Sequence, residues 1–378
     1  MKPGSLQFGR PESLGMSYDG LEHAFRVISR EVERGELPGA VAAIGRHGTI
    51  AGFRAYGWAE LYAAKRLMQM DTLFDLASLT KVVATLPSVL QFLDRGALRL
   101  DDPVGIFLPE FKGGGREDIR IRHLLTHTSG LPAHRKFYEE GLCGRQVVDA
   151  LFRVEPEQPP GTKVVYSDLG FMLLGLIVEK LSVTDLASYT RKHVFEPLGM
   201  KDTGFLPPPE LTKRAAATEY RKDFERFMVG EVHDENACAM GGVAGHAGVF
   251  STASDLCVYC QMILDRGAYG GARVLSPASV LASMREMTPQ GQEKRGLGWL
   301  KKPGEYSSAG DLLSDETIYH TGFTGTAIWI DPTNDLFIVL LTNRVHPSRE
   351  NNSIVRIRPR FCNAIAGSIV DWGGDHAS

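Results

Sequence analysis

Apolar positions along the chain fall into two regimes. From Tyr18 to Arg34, Leu21, Ala24, Phe25, Ile28 and Val32 recur three and four residues apart, which predicts a helix that Gly35 stops. Gly39 to Gly45 (GAVAAIG) and Ile50 to Trp58 predict two strands joined at His47-Gly48. Toward the other end, Ile318 to His320, Thr326 to Ile330 and Leu336 to Thr342 predict three more strands, with turn-rich joints at Gly322 to Gly325 and Asp331 to Asp335. Arg360 to Val370 predicts a closing helix. Between about Ser78 and Asp265 helical spacing dominates, broken by loops such as Lys112 to Gly115, Glu155 to Gly161 and Leu206 to Glu210. The economical arrangement is an α+β fold: residues 1–75 and 250–378 build a sheet domain from both termini, a mainly helical domain of residues 76–249 is inserted, and the cleft lies between them.

Composition narrows the function classes. The 378 residues carry 42 Lys and Arg against 45 Asp and Glu, a formal charge of −3, with 43% apolar and 23% charged residues. That is ample material for a core, so disorder is excluded. The near-neutral balance gives no electrostatic reason for a nucleic-acid or membrane partner. The start, MKPGSLQFGRPESLG, lacks the apolar run of about 7–15 residues that a secretory signal needs. The longest apolar stretch, Phe171 to Val178, falls far short of the roughly 20 residues of a membrane span. A cytoplasmic location is the expectation. Cys143, Cys238, Cys257, Cys260 and Cys362 are an odd and sparse set, and the CxxC of Cys257 and Cys260 has no second pair to complete a zinc site, so buried thiols on a helix are expected.

Common catalytic signatures are missing: there is no Walker A loop, no G-x-G-x-x-G, no H-E-x-x-H and no G-x-S-x-G. What remains is Ser78-Leu79-Thr80-Lys81. A serine hydroxyl needs an activating group beside it, and residues three apart on a helix share a face, so the Lys81 amine reaches Ser78. A lysine in a partly dry pocket has a lowered pKa and can take the serine proton. Ser-x-x-Lys alone is a weak signal, but Tyr166-Ser167-Asp168 sits on a loop at the start of the apolar helix, and His320-Thr321-Gly322 ends a late strand, where small residues let a substrate lie along the edge.

These three motifs, in this order and at these separations, resemble the serine β-lactamase and penicillin-binding protein superfamily, specifically its class C-like branch of family VIII esterases, D-aminopeptidases and D-Ala-D-Ala carboxypeptidases. Ile121 to Leu131 (IRHLLTHTSGL) and Gly241 to Thr252 (GGVAGHAGVFST) support the resemblance, which covers about residues 18 to 370. It implies a serine β-lactamase-like fold and hydrolysis through an acyl-enzyme on Ser78, with Lys81 and Tyr166 moving the proton. The backbone N–H groups of Ser78 and Phe323 match the family's oxyanion hole, where each donor is worth about 3–4 kcal/mol of barrier. His320, Thr321 and Gly322 occupy the position that receives a substrate carboxylate, and no cofactor or metal is implied.

Two departures bear on substrate. Asp168 stands where the family usually has Asn, and His320 where it usually has Lys. Histidine, with an unperturbed pKa of about 6.5, supplies only a fractional charge, and Asp168 adds a negative one. Both weaken a field that would hold a carboxylate, so the expectation is a carboxylesterase on short or medium acyl esters, or an enzyme for substrates bearing an amine near the scissile bond. The alternative reading of Asp168 is that it faces away and pairs with a local cation. Rival functions are a β-lactamase or D-amino-acid peptidase, and a slowly acylated binding or sensor protein without turnover. The partner in either hydrolase reading is a small ester or amide. His233, Asp234, Glu235 and His246 are chemically suited to a metal, but their spacing fits no ligand pattern and a loop-ordering role is expected. His123, His127, Thr128 and Ser129 are structural by the resemblance, in which this segment ends a helix below the site, and Thr252 with Asp255 reads as a helix cap. Trp299 in Gly-Leu-Gly-Trp fits either the pocket edge or the core.

Overall fold

The computed structural model describes residues 6–302 and 307–372; the first five residues of the polar start examined for a signal lie outside these. An eight-stranded sheet is built from both ends of the chain. Its strands are β1 (Gln7–Phe8), β2 (Gly39–Arg46), β3 (Thr49–Glu60), β4 (Arg66–Leu67), β5 (Leu300–Lys301), β6 (Ile318–Thr321), β7 (Ala327–Asp331) and β8 (Leu336–Thr342). They run in the order β1-β3-β2-β8-β7-β6-β5, with β4 beside β3. The two ends of the chain meet where β8 pairs antiparallel with β2, from Leu336 opposite Arg46 to Thr342 opposite Ala40.

Strand alternation sorts the central side chains onto two faces. Ala40, Ala42, Ile44, Ile338 and Leu340 pack under α1 (Tyr18–Glu33) and the terminal helix, among Leu21, Phe25 and Phe361. Val41, Ala43, Val339 and Leu341 face the helical region on the other side. With both faces covered, β2 and β8 are buried along their whole length, which is why β8 reads as an unbroken apolar run.

The predicted strands and the first helix are present within a few residues. The closing helix differs: it runs Ile354–Ala366 rather than from Arg360, with Pro359 inside it. Ile354, Ile357, Phe361 and Ile365 recur three or four residues apart and carry the helix through the proline. The N–H that Pro359 lacks would have bonded the carbonyl of Val355, which lies in the exposed first turn where water can replace it. Thr252 caps the next helix of the core (Ala253–Leu264) by accepting from the Asp255 N–H, and Cys257 and Cys260 are buried free thiols within it. Trp299 is fully buried in the core. Among the described residues no helix is long and apolar enough to cross a membrane.

A small sheet at the junction of sheet and helices places the first motif: Val249–Ser251 lies between Phe74–Asp75 and Gly204–Phe205. The turn after β6 is fastened to the same place, because Thr324 Oγ1 donates to the Asp75 carbonyl at 2.7 Å and Thr326 Oγ1 to the Leu76 carbonyl at 2.9 Å. Gly322 is demanded by this approach, since a Cβ there would lie 2.4 Å from the Leu76 carbonyl oxygen and 2.2 Å from Thr326 Oγ1. Thr326→Val removes one fastening; urea unfolding should show a loss of about 1 kcal/mol, and an unchanged midpoint would mean that the hydroxyl bond does not hold the turn.

Candidate active site

Ser78 sits in a single 3-10 turn, Ala77–Leu79, followed by a π turn, Lys81–Thr85, and the helix Leu86–Asp94. The turn is entered through Ala77 at φ 46°, a left-handed conformation costly for a residue with a side chain. Buried Asp75 holds it there, accepting from the Ala77 N–H at 2.8 Å and, with its other oxygen, from the His233 N–H at 2.6 Å. Lys81 opens the π turn three residues on, and its side chain returns to Ser78. Its Nζ donates to Ser78 Oγ at 3.0 Å and to the His246 carbonyl at 3.1 Å.

The third ligand of that ammonium is Asp168, whose Oδ1 lies 2.7 Å from Lys81 Nζ. Burial pulls the Lys81 pKa down, but the Asp168 carboxylate and then the Tyr166 oxygen push it up, and the net direction is up. This corrects the expectation of a lowered lysine pKa: the pocket is dry, but it contains a counter-ion. Asp168 is pushed up by burial, yet Lys81, His134 and His246 hold it well below the usual carboxylate range. Its second oxygen lies 3.4 Å from His134 Nδ1, and its N–H donates to the Ala133 carbonyl. Asp168 thus neither faces away nor projects a free charge at substrate. It pairs with a cation, and the cation is the one beside Ser78.

Tyr166 lies against this pair, with its ring centre 5.0 Å from Lys81 Nζ, 5.3 Å from the Arg295 guanidinium carbon and 4.5 Å from the His127 ring. His127 sets the loop: its Nδ1 accepts the Ser167 N–H at 3.0 Å, and burial, then Arg295 and Lys81, push its pKa well down. Its segment is structural, as expected, but it supports Tyr166 directly. His320 is buried with its ring centre 6.0 Å from that of Tyr166, and its Nδ1 donates to the Thr321 carbonyl. Burial, Lys81 and Arg295 push its pKa well below 6.5, so the fractional charge expected of it at neutral pH is absent.

Phe323 begins the opposite rim, with its ring 47% exposed. The ring stacks on His233 at 5.7 Å and lies under the guanidinium groups of Arg344 at 4.5 Å and Arg349 at 5.8 Å. Arg349 is committed to Glu219 and Glu235, both at 2.6 Å. Side-chain hydrogen bonds hold the His233 to His246 segment: His233 Nε2 with Glu219 at 3.0 Å and His246 Nε2 with Asp234 at 2.9 Å. Sequence reasoning placed Ser78, Lys81, Tyr166, Asp168, His320, Thr321, Gly322 and Phe323; the structure links the first five through successive contacts and fastens the turn that carries the last two to residues 75–76. It missed Asp75, His134, Arg295 and Arg344, which carry no motif of their own and join the site only through folding.

Comparison with known proteins follows this geometry. A family model described as Beta-lactamase matches residues 24–358. An N-acetylmuramyl-L-alanine amidase of Bacillus subtilis (strain 168) is 33% identical, covering 95% of this chain and 89% of its own. A putative D-alanyl-D-alanine carboxypeptidase of Escherichia coli (strain K12) is also 33% identical, over 89% of this chain and 85% of that protein. Among solved structures, EstCE1, a hydrolase with promiscuous acyltransferase activity, superposes with a TM-score of 0.76 at 23% identity, covering 92% of this chain and 99% of that one. A class C beta lactamase from Rhodobacter sphaeroides gives 0.72 at 22% identity, over 93% and 99% of the chains.

Replacing Asp168 by Asn should let burial dominate at Lys81. The free amine would then appear at lower pH, and the falling limb of kcat/KM, where the working ammonium is lost, should move down by about 1–3 pH units. Thermal or urea unfolding should show a loss of about 3 kcal/mol, because an uncompensated buried cation remains. A limb that stays in place would contradict the pairing.

Proposed function

The chain belongs to the β-lactamase family and is a hydrolase of the serine β-lactamase fold, and from that premise we propose that it cleaves esters of short or medium acyl groups through an acyl-enzyme on Ser78. The observation that carries the reading is the 3.0 Å contact between Lys81 Nζ and Ser78 Oγ in a buried, ion-paired setting. Lys81, held as an ammonium by Asp168, favours the developing serine alkoxide; Tyr166, reacting as the phenolate beside that ammonium, takes the Ser78 proton and returns it to the leaving oxygen, which regenerates the phenolate. The Ser78 and Phe323 N–H groups receive the negative charge on the carbonyl oxygen. Water, activated by the same groups in reverse, releases the acid.

The preference for uncharged esters rests on the state of the cations, since the Asp168 charge is taken up by Lys81. His320 is neutral, Lys81 is spent on Asp168, Arg349 on Glu219 and Glu235, and Arg344 is buried with its N–H groups on carbonyls. A substrate carboxylate therefore meets no uncommitted cation among these groups. The second reading, hydrolysis of a D-peptide or muramyl amide, is favoured by the two relatives at 33% identity, one named an amidase and the other a putative carboxypeptidase.

The test is steady-state hydrolysis of p-nitrophenyl butyrate by the wild type and by Ser78→Ala, beside release of D-alanine from a D-Ala-D-Ala peptide. The expected outcome is ester turnover that falls about 10³-fold or more in the variant, with kcat/KM higher for the ester than for the peptide. A higher value for the peptide would shift the assignment to the second reading. One acyl group retained per protein without turnover would make it a slowly acylated binding protein, and equal turnover by both proteins would overturn the site.

A further inference from the structure

The turn Gly322 to Thr326 carries two buried guanidinium groups on its carbonyls. Arg358, from the terminal helix, is 8% exposed and donates through Nη2 to the Gly322 carbonyl at 3.3 Å and the Thr326 carbonyl at 2.9 Å. Arg344, just past β8 and 6% exposed, donates through Nε to the Phe323 carbonyl at 2.8 Å, and through Nη1 to the Arg349 and Asn351 carbonyls. Neither makes an ion pair with a carboxylate among the described residues, and each opposes the charge of its neighbours. Burial and then Arg344 push Arg358 down to about 9, which leaves it cationic at neutral pH.

A buried cation without a counter-ion is costly, and a neutral amide could satisfy a carbonyl at less expense. The position of the charge gives the reason for keeping it. The Gly322 carbonyl and the Phe323 N–H belong to one peptide unit. A cation bonded to that oxygen draws electron density from the nitrogen and leaves the N–H a stronger donor, as hydrogen bonds in a chain polarise one another. The unit is also fixed in place, since Arg344 holds the next carbonyl while Thr324 and Thr326 tie the turn to the segment just before Ser78.

We propose that Arg358, assisted by Arg344, is a positioning residue for acyl transfer: its charge polarises the Gly322–Phe323 peptide so that the Phe323 N–H binds the oxyanion of the transition state more strongly than the carbonyl of the substrate. The inference rests on the proposed assignment of Ser78 and Phe323 to the reaction. It makes Arg358 act on kcat rather than on substrate binding, although it lies on the helix side of the sheet and touches no substrate.

The experiment uses the full chain with Arg358→Gln and Arg358→Lys. It measures kcat and KM for p-nitrophenyl butyrate, the inhibition constant of butylboronic acid, which forms a tetrahedral adduct with an active serine, and thermal unfolding. Arg358→Gln should lower kcat about 10-fold with KM within about twofold, and weaken the boronate by a similar factor, while Arg358→Lys restores most of both. Arg344→Gln should show the same split with a smaller loss, and it serves as the reading if Arg358→Gln does not fold. Unchanged kcat and boronate affinity in a folded Gln variant, or equal losses in Lys and Gln variants, overturns the inference while Ser78→Ala remains inactive. Turnover that survives Ser78→Ala overturns the site assignment and the inference together.

Discussion

The buried ion pair between Lys81 and Asp168 is the constraint around which the cleft is organised. Lys81 is wholly buried, and an ammonium in that position costs several kcal/mol unless its N–H groups and its charge are all answered. Three separate stretches answer it: the turn Ala77–Leu79 through Ser78 Oγ, the helix start at Asp168, and the segment carrying the His246 carbonyl. Each stretch must arrive at about 3 Å for the charge to be tolerable. The geometry that aims Lys81 at Ser78 is therefore also the geometry that makes burying it affordable.

The second half of the site depends on the sheet. β6 and β7 deliver the turn after His320 to the edge of the helical region, and two threonine hydroxyls and a close-packed glycine lock it against residues 75–76. Asp75 serves both sides, since one oxygen sustains the left-handed Ala77 before Ser78 and the other anchors the His233 segment, whose ring supports Phe323. Strain at Ala77 is held by a buried carboxylate, which is how a costly backbone conformation persists beside a reactive group. Lys81 and Tyr166 lie on the helical side and the proposed oxyanion donors at the junction, so a rigid join between the two matters more than the fit of any one loop.

Much of this was legible in the sequence because the signals are local. β8 reads directly as a strand from its apolar run, the helix Asp168–Ser182 from the segment after Tyr166, and the contact of Lys81 with Ser78 from the three-residue spacing of Ser-x-x-Lys. The terminal helix begins at Ile354, upstream of the predicted start at Arg360, and it tolerates Pro359 because the lost bond falls in an exposed first turn. Lys81 was read with the wrong sign of pKa shift, because burial is foreseeable from an apolar context but the arrival of Asp168 from 87 positions later is a fact of the fold. The same holds for Arg295, Arg344 and Arg358. Their roles come from where their guanidinium groups end up, and a lone arginine in sequence does not reveal that.

The most direct test of the central claim is an NMR titration of protein labelled at lysine Cε, with the Lys81 resonance identified by its loss in Lys81→Arg. The account predicts that Lys81 stays an ammonium through neutral pH and releases its proton only above the ordinary lysine value of about 10.4, because Asp168 and Tyr166 outweigh burial. A resonance that titrates near neutral pH would show that burial wins, that Lys81 is a free amine at work, and that the ion pair is not what organises the site.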